Sequence, residues 1–196
     1  MNARTTKWLI AAESPQTRVM MRGDTIDITT PAGLTLWYNQ LLTAPCTIHY
    51  RACVVVGNGA TDRLSDLNCF WMANTMLPEG RFVDNYRLRC YYLGYGGNHN
   101  TTTRFRRYTA DSLAVNDIAH RPPVLVEYTD STHLLLPNHW YDIHITVASD
   151  GHTTYTIDGE TLVDYHDPTP LHKGYFGLRT TWSHIRMTGF TITSAH

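Results

Sequence analysis

Apolar and polar residues alternate with a period of two along most of this chain, and helical spacing is nearly absent. The clearest case is WYDIHITVA, residues 140–148. Tyr141, Ile143, Ile145 and Val147 share one face and Trp140, Asp142, His144, Thr146 and Ala148 the other, the pattern of a strand with one face in a core. The same logic predicts strands at 24–29, 34–38, 47–56, 67–73, 86–94, 102–108, 124–128, 140–148, 153–157, 160–164, 174–181 and 185–193, rich in Thr, Tyr, Val and Ile. Turn residues separate them at Asn58-Gly59, Pro78-Glu79-Gly80, Asp150-Gly151 and Asp158-Gly159, where a tight reversal or a positive φ costs little. The last two delimit a hairpin series. The stretch 109–123 carries the weakest pattern and ends stiffly at Pro122-Pro123. No repeat or linker divides the chain, so the expectation is one all-β domain over residues 1–196, built as two stacked antiparallel sheets.

Composition narrows the partners. Hydrophobic residues make up 42% of the 196, enough for a core, whereas the charged fraction of 17% lies below the roughly 25% of average domains. The polar surface is therefore built from Thr, Asn, His and Tyr. A net charge of -1 and a pI near 6.8 offer no general attraction to nucleic acid or to an anionic membrane. No apolar run approaches the ~20 residues of a membrane-spanning helix. The apolar run Trp8–Ala12 is shorter than the roughly 7–15 residues of a signal-peptide core, which leaves a cytoplasmic protein or an exported one whose signal has been removed. Cys46 and Cys53 should face opposite sides of one strand, and buried free thiols are expected for Cys69 and Cys90 ahead of a bridge.

Chemistry concentrates in YYLGYGGNHNTTTRFRRY, residues 91–108. Gly94, Gly96 and Gly97 permit close approach of a ligand, Asn98 and Asn100 offer donors and acceptors, and Arg104 and Arg106 offer planar cationic forks. Saccharides call for that set: aromatic faces for C–H surfaces, amides for hydroxyls, arginine for carboxylates. Arg104 and Arg106 share a strand face with Tyr108, while Arg107 points away with Thr103 and Phe105. Adjacent Tyr91 and Tyr92 must face opposite ways, and Tyr95 beside the glycines is the favoured site tyrosine. Asp66 and Asn68 share a face; Trp71 lies off their parity. Arg179 has the opposite parity to Phe176 and Leu178, and Trp182 and His184 follow it.

The eleven histidines form no HExxH or HxH pair, so no catalytic metal is expected. Asp158-Gly159 and the pair Asp164 and Asp167 leave room for a structural calcium, although turn chemistry suffices for each. Esterase, nucleotide-hydrolase and dinucleotide fingerprints are lacking.

Taken in order, RLSDLNCFWMA from 63, GYGGNHNTTTRFRRY from 94, LLLPNHWYDI from 134, YTIDGE from 155 and GYFGLRTTWSHIRMTGFTI over 174–192 resemble an uncharacterised bacterial family of concanavalin-like jelly rolls. That family is similar to domains found in pectin and polysaccharide utilisation loci. The resemblance spans residues 34–192 and implies a lectin/glucanase-type jelly roll with an oligo- or polysaccharide partner. It supplies no catalytic residues, because that superfamily includes lectins, glycosidases and lyases.

Three functions follow from the residues. A lyase acting on a uronate-containing saccharide needs a cation to acidify the α-carbon proton and a base to take it: Arg104, Arg106 or Arg179 would neutralise, Asn98 or Asn100 assist, and Tyr95, His99 or His184 act as base. Asn68, Trp71, Tyr92, Tyr108 and Trp182 would bind the sugar. A non-catalytic binding module would use the same face without a base, and a hydrolase or hydratase would use Asp66 as its acid or base.

Overall fold

The computed structural model describes residues 7–78, 81–110 and 121–194. The turn predicted through Glu79-Gly80, most of the 109–123 loop, and His120 and His196 lie outside them. The strands are β1 (Trp8–Ala12), β2 (Arg18–Arg22), β3 (Thr25–Tyr38), β4 (Leu42–Thr43), β5 (Cys46–Val54), β6 (Leu67–Ala73), β7 (Arg89–Gly96), β8 (Thr102–Thr109), β9 (Val124–Tyr128), β10 (Trp140–Val147), β11 (His152–Ile157), β12 (Glu160–His166) and β13 (Lys173–Ser194). All pairings are antiparallel.

Two layers share their long strands. The front sheet runs β1-β3-β13-β6-β7-β8-β9 and the back sheet β2-β3-β13-β5-β10-β11-β12. In β13, Tyr175 to Arg179 pair with β6 in front, and Ile185 to Ser194 pair with β5 behind. The register shifts between Thr181 and Ser183, where Trp182 takes φ 43°. Facing it, Pro31 removes a ladder donor from the middle of β3. The predicted strand pairs 24–29 with 34–38 and 174–181 with 185–193 are thus two continuous bent strands, split in the sequence because alternation fails at each bend. β1, β2 and β4 carry no alternation of their own and are held by register with β3 and β13.

Alternation elsewhere translates directly into burial. β10 reads half-buried, buried, half-buried throughout, with Tyr141, Ile143, Ile145 and Val147 inward. Asp158 (φ 49°) and Gly159 (φ 85°) close the β11–β12 hairpin as the two positive-φ residues of a type I′ turn. Between the layers the rings interlock: Trp71 lies 5.6 Å from Tyr91, 5.8 Å from Phe105 and 6.2 Å from Tyr155 of the back sheet, and Tyr95 meets Tyr141 edge-on at 5.3 Å. The architecture is an all-β jelly-roll sandwich of antiparallel sheets.

The four cysteines are free and buried. Cys46 and Cys69 enter the interlayer core, Cys53 points away from it, and Cys90 packs outside the front sheet. Burial pushes the thiols up, Cys46 to about 11 and Cys69 to about 12, so neither is a thiolate at neutral pH.

One loop has a testable ionisation. His133 Nδ1 lies 2.7 Å from Asp130 Oδ1, and its Nε2 lies 3.0 Å from Glu160. The hydrogen bond with Asp130 holds the His133 pKa above its usual value. Hydrogen bonds from Thr132, then from His133, hold Asp130 down at about 2. The histidine contribution is therefore complete below pH ~6.5 and is lost as pH rises through the raised pKa; the aspartate contribution is present above pH ~4 and fades as pH falls towards 2. A proton NMR titration should place His133 above the free-imidazole value of about 6.5, and Asp130→Asn should bring it down towards that value. An unshifted His133 in the unmodified chain would contradict the geometry.

Candidate functional site

The outer face of the front sheet is half covered. Trp37, Phe70, Tyr86, Leu88, Cys90 and Tyr108 form a second apolar cluster there under the 3-10 segment Phe82–Arg87. Beside it lies an open cleft of about 370 Å³, within the usual size range of ligand pockets.

Strand register builds its floor. One row across the sheet is Trp37, Gly177, Phe70, Tyr92, Arg106; the next is Thr35, Arg179, Asn68, Gly94, Arg104, Glu127. Gly94 leaves room for the Tyr92 ring: a Cβ there would stand 2.9 Å from the Tyr92 hydroxyl and push it aside. Tyr92 lies 5.2 Å from Phe70 and 5.4 Å from Tyr108, and Tyr108 stacks on Tyr86 at 5.7 Å, giving an aromatic run along one wall. Arg104, Arg106, Arg121, Asn98 and Asp66 also line the cleft. Arg104 Nε donates to Glu127 at 2.6 Å, Arg106 donates to the Pro122 carbonyl, and the Arg121 guanidinium lies 5.9 Å from the Tyr86 ring centre. Asn68 is buried, with its Nδ2 donating to Asp66 at 3.4 Å and its Oδ1 without a hydrogen-bond partner.

Asp66 sits where the cleft meets a shallower depression formed with Arg63, Asn98, His99, Thr181 and Trp182. Its backbone is in the left-handed region, φ 65°, with the amide donating to the Gly96 carbonyl at 3.1 Å. Arg63 is the link between the two parts. Its Nη2 donates to Asp66 Oδ2 and to the Thr181 carbonyl, both at 2.6 Å, its Nε donates to the Trp182 carbonyl at 2.9 Å, and its guanidinium lies over the Trp182 ring at 5.3 Å. The indole Nε1 donates to the Ala60 carbonyl at 3.0 Å. Trp182 is thus fixed yet 48% exposed, a flat apolar face beside a carboxylate.

The rim is a left-handed turn: Asn98, His99 and Asn100 have φ of 52°, 58° and 57° after Gly96 at 64°. Asn tolerates this conformation. Asn98 and His99 are exposed there.

Asp66, Tyr92, Asn98, Arg104, Arg106 and Tyr108 therefore line one cleft, with His99 and Trp182 adjoining and Asn68 buried beneath its floor. Arg107 faces the other way and binds Asp167 at 3.0 Å. Five expectations need correction. Tyr95 is 3% exposed in the interlayer core, its hydroxyl donating to the Leu134 carbonyl at 3.3 Å, because it shares parity with Tyr91 and Leu93. Trp71 is fully buried there and its Nε1 donates to Thr153 at 3.0 Å. Asn100 is spent on the chain, binding the Leu135 amide at 2.8 Å and carbonyl at 3.0 Å. His184 lies past the β13 bend, on the back sheet, held by Asp62 through Nδ1 and by Asp27 through Nε2. Arg179 has the predicted parity but is 2% exposed beneath the cleft, donating to the Leu34 and Thr180 carbonyls. Among the carboxylates named for a structural calcium, Asp158 binds the Asp142 amide and His139, Asp164 binds His152, and Asp167 binds Tyr91, Arg107 and the Thr169 amide.

Tyr86, Arg121 and Arg63 are lining residues that the sequence does not single out. Arg63 stands in a quoted motif, but its role depends on the β13 bend bringing Trp182 to it.

Burial pushes the Tyr92 phenol above its ordinary range, with Asp66 adding to the shift, and raises Tyr108 as well. Both are neutral hydroxyls at physiological pH and act as hydrogen-bond donors or acceptors. Burial also pulls Arg179 below the usual guanidinium value, against the opposing pull of Tyr92, Glu13 and Asp66.

Several solved structures share this fold. The carbohydrate binding module CBM66 from Bacillus subtilis is 13% identical over 96% of each chain, with a TM-score of 0.64. A Bacillus subtilis protein of unknown function with a galectin-like fold is 12% identical over 95% of this chain and 89% of that one, TM-score 0.67. The VIP36 exoplasmic/lumenal domain, in its Ca2+/Man3GlcNAc-bound form, is 11% identical over 97% and 84%, TM-score 0.67. No curated protein matches the chain by sequence. A family profile does match, over residues 28–190, and the chain belongs to that family, DUF6250, described as a domain of unknown function.

Proposed function

We propose that this protein is a carbohydrate-binding module whose ligand lies in the front-sheet cleft and reaches the Trp182 depression. The observation that carries this reading is the composition of the cleft: an aromatic wall, the exposed Asn98 amide, a fixed carboxylate and guanidinium groups on one face. Stacking faces together with planar donors and acceptors match the alternating C–H and hydroxyl surfaces of a pyranose. Two of the fold's neighbours are a carbohydrate-binding module and a lumenal domain in its Man3GlcNAc-bound form.

Binding without turnover is favoured by where the bases fall. Tyr95 is in the core, His184 on the back sheet and His99 in the Trp182 depression outside the arginine-lined cleft, while the phenols that do face the cleft, Tyr92 and Tyr108, are held protonated by burial. A lyase needs a base poised near the working pH. For a hydrolase, the backbones of Asp66 and Glu127 stand three strand spacings apart, roughly 14 Å at about 4.8 Å per strand, and each carboxylate is held by its own arginine, Arg63 and Arg104.

Arg104, Arg106 and Arg121 outnumber Asp66 in the lining, and this excess favours a saccharide bearing a carboxylate or another anionic substituent. The test is titration of the chain with neutral and uronate-containing oligosaccharides, followed by analysis of the recovered sugar. Saturable binding with intact sugar is expected, tightest for uronates. Unsaturated or shortened sugar would replace the binding module with an enzyme.

A further inference from the structure

The outer face of the back sheet, on the opposite side of the sandwich from the cleft, carries a second arrangement of chemistry. Asp142 and His144 are two residues apart on β10 and so point the same way, and His49 on β5 is the direct cross-strand partner of His144. The two imidazoles stack with centroids 4.2 Å apart and planes 21° from parallel. Both aim Nε2 at one carboxylate: His49 at 2.7 Å from Asp142 Oδ1 and His144 at 3.2 Å from Oδ2. One ligating atom from each of the three lies within 4.8 Å of the others, and among the described residues this is the only such cluster.

We propose that His49, Asp142 and His144 form a binding site for a divalent transition-metal ion of the zinc, nickel or copper type. Two imidazole nitrogens and a carboxylate oxygen are the donors these ions prefer, whereas calcium takes oxygen donors. Ligand atoms on a tetrahedral zinc lie about 3.3 Å apart, given bonds of about 2.0–2.1 Å; the two nitrogen–oxygen separations, 2.7 and 3.2 Å, fall just under that spacing, and all three atoms lie within 4.8 Å of one another. Small rotations of half-exposed side chains are enough to close it. Three protein donors leave a position for water or an external ligand.

The surroundings admit a cation. Arg51, which faces Asp142 across the strand pair, turns away to lie over the Trp140 ring at 5.7 Å. Thr191 and Thr156 flank the two histidines in the same cross-strand row and bring no charge. By contrast, His184 binds Asp62 and Asp27 through opposite edges of its ring, so no single ion can take all three. The sequence hides the site because His49 and His144 lie far apart along the chain and become neighbours through β5–β10 pairing alone.

The test is calorimetric titration of the full chain, without an affinity tag, with zinc chloride in a non-chelating buffer. One saturable site per chain is expected. His144→Ala and His49→Ala should each weaken it by at least about tenfold, and Asp142→Asn should weaken it with the circular dichroism unchanged. His152→Ala, at an exposed histidine beside Asp164, should leave it intact. Copper(II) bound to the unmodified chain should show hyperfine coupling to two nitrogens by electron paramagnetic resonance. No saturable zinc binding, or equal weakening by His152→Ala, would overturn the proposal.

Discussion

Replacing Trp71 with alanine is expected to lower the unfolding free energy by about 3–5 kcal/mol, the cost of deleting a large buried ring and leaving a cavity. The indole touches Tyr91 and Phe105 of its own sheet and Tyr155 of the opposite one, and its N–H donates to Thr153. Removal therefore opens a void between the layers and takes from the Thr153 hydroxyl the donor it accepts, although that hydroxyl still donates to the Thr146 carbonyl at 2.7 Å. Against a typical total of about 5–15 kcal/mol, the loss takes a large share of the stability. Urea unfolding followed by tryptophan fluorescence measures it. Trp71→Phe, which keeps most of the ring volume, should lose much less and bind ligand as before. A Trp71→Ala chain of normal stability that failed to bind saccharide would instead make Trp71 a site residue.

Asp66→Asn is expected to have the largest effect on binding. Asn tolerates the positive φ of this position as Asp does, so the backbone is preserved and the charge alone is removed. Arg63 then loses its ion pair and keeps only the Thr181 and Trp182 carbonyls, and a partly buried guanidinium without its carboxylate costs about 1–3 kcal/mol. Both halves of the ligand surface loosen together, because Asp66 lines the cleft and the Trp182 depression alike. Affinity should fall roughly tenfold or more, with about 1.4 kcal/mol corresponding to each factor of ten. Arg63→Lys keeps the charge but not the fork and should fall similarly. Unchanged affinity in both variants would remove the Trp182 depression from the ligand surface.

Alternation carried most of what the sequence made legible. On β8 it set Arg104, Arg106 and Tyr108 on one face and Thr103, Phe105 and Arg107 on the other, and the structure keeps that division. On β7 the same rule, applied past the glycines, would have sent Tyr95 inward with Tyr91; proximity to Gly94 and Gly96 suggested exposure, but those glycines serve a close approach to Tyr92 and a left-handed turn. Trp71 likewise obeyed parity. His184 was misplaced for a different reason. The bend at Trp182 carries β13 from the front sheet to the back, and nothing in the local pattern of TTWSH states which layer follows. The ligand role of Asn100 was lost to the loop at Leu135, a contact between segments 35 residues apart. Properties of one strand could be read; properties created by strand pairing, including the Arg63–Trp182 link, could not.

The central claim is that the front-sheet cleft binds saccharide. Its most direct test is an NMR titration of the isotope-labelled chain with the tightest oligosaccharide, run in parallel on Tyr92→Ala. Shifts confined to Tyr92, Asn98, Arg104, Arg106 and the Trp182 indole, saturable in the unmodified chain and much weakened in the variant, are the predicted result. Perturbations centred on the back sheet, or binding indifferent to Tyr92, would contradict the account.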